Sequence, residues 1–274
     1  MQRKNYLVFI YWLCLVGGCS KDPVKEPSNP PPDIHNILLK DIVYDHLPSP
    51  YYHFEYNGEG KIIKASYQSN LAMYNLVYTE GNITEVKNNT LVNKDRLVYS
   101  YQNDLVSQVN YFHEDGTNFK KCFVTYNTAK QLQNLLWQRL SDGGFFVTER
   151  SADFQYRTDS NLSQLQNHLM PIPGVQNEAL YIDTYEDYDN TKNVDGFSLF
   201  HLDSDHPLLL PDAVLQKNNP HKLTRTGDGV HYTITYDFAF TDELLPTKRM
   251  GKAVITNGPS AGDHFDANTT FSYY

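Results

Sequence analysis

Three stretches of this 274-residue chain hold side chains that could do chemistry. His201-Leu202-Asp203-Ser204-Asp205-His206 sets four potential ligands, His201, Asp203, Asp205 and His206, within six residues. Imidazole and carboxylate donors suit zinc, but a tetrahedral site needs convergent ligands and usually another from elsewhere in the chain. A solvated loop ahead of Pro207 is the plainer reading, and no metal is assigned. Gly258-Pro259-Ser260-Ala261-Gly262 spells the letters of a nucleophile elbow. An elbow needs a strand before its serine, a helix after it, and acid and histidine partners further on. Only twelve residues follow Gly262, ending in a strand-like run, and Asp263 and His264 have no room to fold back. Asp183, Glu186, Asp187, Asp189 and Asp195 are dense enough to suggest calcium, yet neither Asp187 nor Asp189 starts a loop with glycine sixth and a carboxylate twelfth. Cys122 alternates with Val124 and Tyr126, the pattern of a buried small hydrophobe rather than a nucleophile. With no phosphate-binding, dinucleotide or paired-cysteine signature, the reading is non-enzymatic and without a cofactor.

The elements that would position these groups are written in a repeat between Tyr52 and Leu165. Each copy is an apolar residue, a spacer and a tyrosine, then a polar turn and two aliphatic positions three apart. The copies are Phe54-Glu55-Tyr56 with Ile62 and Ala65, Leu76-Val77-Tyr78 with Ile83 and Val86, and Tyr99-Ser100-Tyr101 with Val106 and Val109. Val124-Thr125-Tyr126 with Leu132 and Leu135, and Phe154-Gln155-Tyr156 with Leu162 and Leu165, complete the set. An apolar-polar-Tyr triplet aims two large side chains at one face of a strand. Asn57-Gly58-Glu59-Gly60, Glu80-Gly81-Asn82 and Asn103-Asp104 supply turn residues between the strands. Each copy therefore predicts a β-hairpin. Tyrosine spacings of 22, 23, 25 and 30 residues predict stacked units sharing one core, because a lone hairpin cannot bury its apolar face.

These residues resemble the YD repeats of RHS-type cell-surface proteins, and more closely the Bacteroidota surface lipoproteins that carry degenerate repeats of that kind. Tyr185-Glu186-Asp187-Tyr188-Asp189-Asn190 and Phe271-Ser272-Tyr273-Tyr274 extend the likeness over most of the chain. Tyr-Asp pairs occur only late, at Tyr188-Asp189 and Tyr236-Asp237. The resemblance implies architecture and transfers no functional residue.

The first residues read as an address. Arg3 and Lys4 precede an eleven-residue apolar run, Tyr6 to Val16, and Val16-Gly17-Gly18-Cys19 closes it with small residues. Eleven residues rise about 16 Å as a helix, short of a hydrocarbon core of roughly 30 Å, so 1–18 is a signal peptide rather than a span. The ending resembles a bacterial lipobox, which implies acylation of Cys19 and anchoring at the outer membrane. Ser20-Lys21-Asp22 resembles a surface-export signal of Bacteroidota lipoproteins, which points the protein outward. The segment 19–33, with five prolines and almost no apolar residue, is an extended spacer. Losing Arg3 and Lys4 lowers the net charge from -9 to -11, which argues against nucleic acid as a partner.

The remaining 34–274 is long enough for one all-β domain, with two blocks, 34–170 and 175–274, separated by a lapse at Pro171 and Pro173. Val230 to Phe240 alternates most cleanly, and Pro207 to Lys217 reads as a short helix. The fold class expected is an extended antiparallel meander of hairpins, one twisted sheet or open sandwich with at most that helix. The 21 Tyr and 14 Phe would line an open face. The function expected is a binding module that takes a glycan or surface protein by ring stacking and strand addition. A metal-dependent hydrolase at His201 to His206 and a structural spacer remain the alternatives.

Overall fold

The computed structural model describes residues 38–91, 93–194, 206, 208–210 and 213–274. Cys19, the leader and spacer, Asp195, His201, Asp203, Asp205, Pro207 and Pro211 lie outside the described residues.

Alternating apolar and polar residues produce strands nearly throughout. The first eight are β1 (Leu39–Tyr44), β2 (Tyr52–Tyr56), β3 (Ile62–Tyr67), β4 (Ala72–Thr79), β5 (Asn82–Asn88), β6 (Arg96–Gln102), β7 (Leu105–Phe112) and β8 (Asn118–Tyr126). Next come β9 (Leu132–Leu140), β10 (Phe146–Tyr156), β11 (Leu162–Leu169), β12 (Ala179–Lys192) and β13 (Asn218–Gly227). The last are β14 (Tyr232–Phe240), β15 (Pro246–Ile255), β16 (His264–Asp266) and β17 (Thr269–Tyr273). Consecutive strands from β1 to β16 pair antiparallel, β15 also pairs with β17, and β17 pairs with β1 from Leu39↔Tyr273 to Tyr44↔Thr269. Sixteen strands thus close a barrel, with β16 as a three-residue spur on β15.

Closure overturns the open meander. The hairpins themselves are where the repeat puts them. In every copy the repeat tyrosine faces the first aliphatic position across the hairpin, and the apolar residue two before it faces the second: Tyr78↔Ile83 with Leu76↔Val86, and Tyr101↔Val106 with Tyr99↔Val109. The same double pairing holds in β2–β3, β8–β9 and β10–β11. A register shift falls directly before each of the five tyrosines. A bulge bends its strand and raises its twist, so bulges repeated at one level curl the sheet until its last strand meets its first.

The tyrosines also stitch neighbouring units together. The Tyr56 hydroxyl donates to the Leu39 carbonyl at 2.7 Å, Tyr78 to Ile62 at 2.7 Å and Tyr101 to Ile83 at 2.9 Å. Later strands repeat the contact, with Tyr188 donating to Leu162 at 2.6 Å and Tyr273 to Pro246 at 2.6 Å.

The barrel is apolar inside and polar outside. Phe54, Tyr74, Leu97, Val109, Tyr111, Cys122, Trp137 and Leu165 form one buried cluster facing inward. The outer face carries cross-strand polar pairs: Asp41–His53 at 2.6 Å, Glu55–Lys64 at 2.6 Å, Glu85–Arg96 at 3.0 Å, Asn134–Asp153 at 2.7 Å and Glu186–Lys222 at 2.8 Å. A barrel crossing a membrane needs an outward apolar band about 25 Å tall, and a charge at its midplane costs about 2 to 4 kcal/mol. This wall has the reverse polarity and suits water.

Sixteen strands can enclose an aqueous channel. Here the interior along β1–β11 is occupied by rings and by described residues between β12 and β13. Leu208, Leu209, Leu210 and Leu215 are buried in the same cluster. The Leu162 amide donates to the Leu215 carbonyl at 3.1 Å, Leu209 lies against Tyr99, and His206 reaches Tyr74. This is where the sequence predicts a helix from Pro207 to Lys217. The described residues of that stretch are an irregular plug, and no helix occurs among the described residues. Two prolines four apart disfavour helical geometry before each of them, and the four leucines find their apolar partners in the barrel wall instead.

Replacing Tyr78 by Phe removes one stitch and is expected to cost about 1 kcal/mol, read from urea unfolding. Gly227 sits at φ 101°, where an added Cβ would lie 2.1 Å from the Leu180 carbonyl oxygen. Gly227→Ala is expected to cost about 3 kcal/mol or more in the same assay.

Candidate functional site

Of the four candidate ligands, His206 alone is described, and it serves the interior packing. It is 1 % exposed, its Nε2 lies 3.2 Å from Asp95 Oδ2, and its Nδ1 lies 3.0 Å from the Tyr74 hydroxyl. Tyr74 in turn meets Asn88 and the Tyr67 hydroxyl, each at 3.4 Å, while the second Asp95 oxygen takes His113 Nδ1 at 3.0 Å. An acid-His-Tyr row of this kind has the connectivity of a proton relay. Both imidazole nitrogens are engaged within the protein, and burial keeps the ring from a reacting atom in solvent. Its evident work is to fasten the plug to the barrel wall. Among the described residues, no three His, Cys, Asp or Glu side chains converge where they could hold a metal.

The other motifs resolve into local structure. Gly258 to Gly262 is the exposed turn between β15 and β16, with Gly258 at φ 70° and Gly262 at φ 97°, so Ser260 sits on a turn and not on a strand-to-helix elbow. The acidic cluster is divided between the faces of β12. Asp183 points inward to Arg225, Glu186 points outward to Lys222, and Asp189 accepts the Thr191 and Asn219 amides at 2.9 and 3.1 Å. Cys122 is fully buried opposite Trp137.

One part of the interior is built differently. Cross-strand register carries the inward face from Leu165 to Asp183, from Asp183 to Arg225, and from Arg225 to Tyr232. It then continues from Ile234 to Ala253, from Tyr236 to Gly251 and from Phe238 to Arg249. On this wall Tyr232, Tyr236, Phe238 and Phe240 are only partly buried, and Phe265 on β16 is 47 % exposed. Their rings form a row: Tyr236 to Phe238 at 6.4 Å, Phe238 to Phe240 at 6.0 Å, His221 to Phe238 at 5.2 Å and Tyr232 to Phe265 at 6.5 Å.

Two guanidinium groups lie among these rings. Arg225 is held by Asp183 through two bonds of 2.7 and 2.5 Å and stacks on Tyr232 at 5.2 Å and Tyr181 at 5.8 Å. The Asp183 bonds raise the Arg225 pKa further above its ordinary value, so it is a permanent cation. Arg249 lies 5.1 Å over Tyr236 and donates to Thr269 Oγ1 at 3.0 Å. Gly251 makes room for this arrangement: a Cβ there would come within 2.9 Å of the Tyr236 ring and 2.6 Å of the Ala267 carbonyl oxygen. Rings with a few fixed polar groups are the ordinary lining of a ligand site. The alternation at Val230 to Phe240 is visible in sequence and Asp183 stands out there only as one of an acidic cluster; Arg225 and Arg249 carry no sequence signal, because register alone brings them beside the rings.

Burial pushes the Tyr232 hydroxyl up to about 12 against the pull of Arg225, and burial likewise pushes Tyr78 to about 12. The unfolded chain gives up these protons near pH 10. The fold keeps them longer, so the stability they contribute is complete below pH 10 and is lost as pH rises towards 12. Urea midpoints are expected to fall from about pH 10 upward, in step with phenolate absorbance.

No protein-family model matches the chain, and no curated protein matches it significantly. Solved structures do. A porin-like protein from Bacteroides uniformis aligns with TM-score 0.56 at 12 % identity, over 81 % of this chain and 89 % of that one. A porin-like protein from Bacteroides vulgatus aligns with TM-score 0.53 at 12 % identity, over 81 % of this chain and 92 % of that one. A TcdB2–TccC3 chain aligns at 14 % identity over 77 % of this chain and 12 % of that one, with a TM-score of 0.29 that carries no argument. At these identities the two Bacteroides structures share a fold with this chain.

Proposed function

We propose that the protein is a non-enzymatic binding barrel of the cell envelope, held at the outer membrane by acyl chains on Cys19, with a glycan as its ligand. The observation that carries this reading is the contrast inside the barrel. Along β1–β11 the inward side chains are packed against the plug, whereas the wall of β13–β16 presents partly exposed rings beside two fixed guanidinium groups. Ring faces take up the apolar faces of sugars, and the Asp183–Arg225 pair offers hydroxyl groups both an acceptor and donors. Closure leaves only the three-residue β16 spur with a free strand edge, too short a template to favour strand addition. An inward wall also admits a slender chain more readily than a folded protein, and that favours the glycan over a surface protein. The polar outer wall supports a barrel standing in water and tethered by lipid, since more than one acyl chain suffices for stable anchoring. The porin-like names of the two Bacteroides structures agree with an envelope location.

Calorimetric titration with neutral oligosaccharides tests the ligand. Saturable binding is expected, weakened about tenfold when Tyr236 and Phe238 are both replaced by Ala. Absence of saturable binding across the panel, or equal affinity in the variant, overturns the glycan assignment. For the anchor, Cys19→Ser is expected to move the protein from the membrane pellet to the soluble fraction with its unfolding curve unchanged. Retention in the pellet would refute lipid attachment at that position.

A further inference from the structure

The outer wall carries a second feature, unconnected with the rings. Across β4, β5 and β6 lies a cleft of about 500 Å³ lined by Glu85, Lys87, Lys94 and Arg96, with Asn75 and Asn89 at its edges. On a chain of net charge -9, three cations around a single carboxylate stand out. Glu85 takes Lys87 at 2.9 Å and Arg96 at 3.0 Å. Burial alone would raise its pKa, but those two partners hold it below the ordinary carboxylate value, so it stays charged and offsets only one of the three cations. Lys94 is exposed and has no ion pair among the described residues, and Arg96 is steadied by stacking 4.9 Å over Phe112.

The loop that shapes the cleft is fastened from behind. Asn88 Oδ1 accepts the Thr90 amide and hydroxyl, each at 3.0 Å, and Asn93 Oδ1 accepts the Asp95 amide at 2.8 Å. Asp95, between Lys94 and Arg96 in sequence, holds His206 at 3.2 Å and His113 at 3.0 Å. The two cations are therefore carried on a backbone segment pinned to the barrel interior, and Arg96 is held in addition by Glu85 and Phe112.

We propose that this cleft binds an oxyanion, a carboxylate, sulfate or phosphate group, with Arg96 and Lys94 as its charged donors and the Asn75 and Asn89 amides as neutral ones. A volume of this size accommodates a monosaccharide-sized molecule bearing such a group. Guanidinium and ammonium donors make charge-assisted bonds to oxyanions, and a guanidinium already held in place, as Arg96 is, loses little entropy in doing so.

The test is an NMR titration of the folded barrel with sodium sulfate, sodium acetate and sodium glucuronate at constant ionic strength. Saturable shifts are expected in the amides of 85–96. Affinity is expected to fall at least about tenfold in a Lys94→Gln, Arg96→Gln double variant and to be unchanged in Lys252→Gln on another strand. Lys94→Gln alone, at an exposed side chain, keeps the test readable if the double variant fails to fold, and about a threefold loss is expected. Tighter binding of glucuronate than of acetate or sulfate assigns an acidic sugar; equal binding assigns the free oxyanion. No saturable shift with any of the three salts, or equal affinity in wild type and Lys94→Gln, overturns the proposal.

Discussion

The hydroxyl of a repeat tyrosine, reaching over a bulge to a carbonyl of the hairpin before it, is the contact on which the rest of the barrel depends. A hairpin alone is at best marginally stable in water, and its register is free to slip wherever no face is buried. Three of the five repeat tyrosines act on both weaknesses. The ring joins the interior beside the aliphatic partner across the hairpin, and the hydroxyl, at Tyr56, Tyr78 and Tyr101, ties that hairpin to its neighbour. The bulge that lets the hydroxyl reach is also what curls the sheet. One residue type thus sets pairing, spacing and curvature together, which accounts for its recurrence through a chain with no disulfide framework.

Closure settles the polarity of everything else. Once β17 meets β1, every alternating strand has an inside and an outside, and the apolar set goes in. A ring of this size would leave its interior partly empty if lined only by its own side chains. The return from β12 to β13 fills that space with Leu208, Leu209, Leu210 and Leu215, anchored at one end through His206 and Asp95. The histidine cluster that in sequence suggests metal chemistry therefore contributes, at His206, a fastening. Burial with both nitrogens engaged is a strong structural reason for a histidine to be there, and it leaves no role in chemistry for that ring to explain.

The wall of β13–β16 departs from this economy. Its rings remain partly exposed although they point inward, and its arginines are held by hydrogen bonds and stacking rather than by solvent. Along β1–β11 Tyr52, Phe54, Tyr67, Tyr74, Tyr111 and Trp137 are buried among one another and the leucines of the plug, a cover that Tyr236, Phe238 and Phe240 do not have. Holding cations and aromatic faces in fixed relation without covering them is what a binding surface requires. The outer cleft around Glu85 repeats the principle at another address, with charge in place of rings.

The amino-acid sequence by itself determined the units: five hairpins, the residues that face each other across them, the turns that join them and the burial of Cys122. These are local matters, decided by alternation and turn chemistry over about twenty residues, and the repeat printed them five times. Tertiary structure alone decided that the ribbon closes, because the pairing of Leu39 with Tyr273 joins the two ends of the domain and no local pattern encodes it. Closure in turn decided which face is the interior, that Leu208, Leu209, Leu210 and Leu215 plug it, and that Arg225 and Arg249 stand among the rings of β14. Alternation tells that two sets of side chains lie on opposite faces of a strand, but only the curvature of the finished sheet tells which of them looks inward.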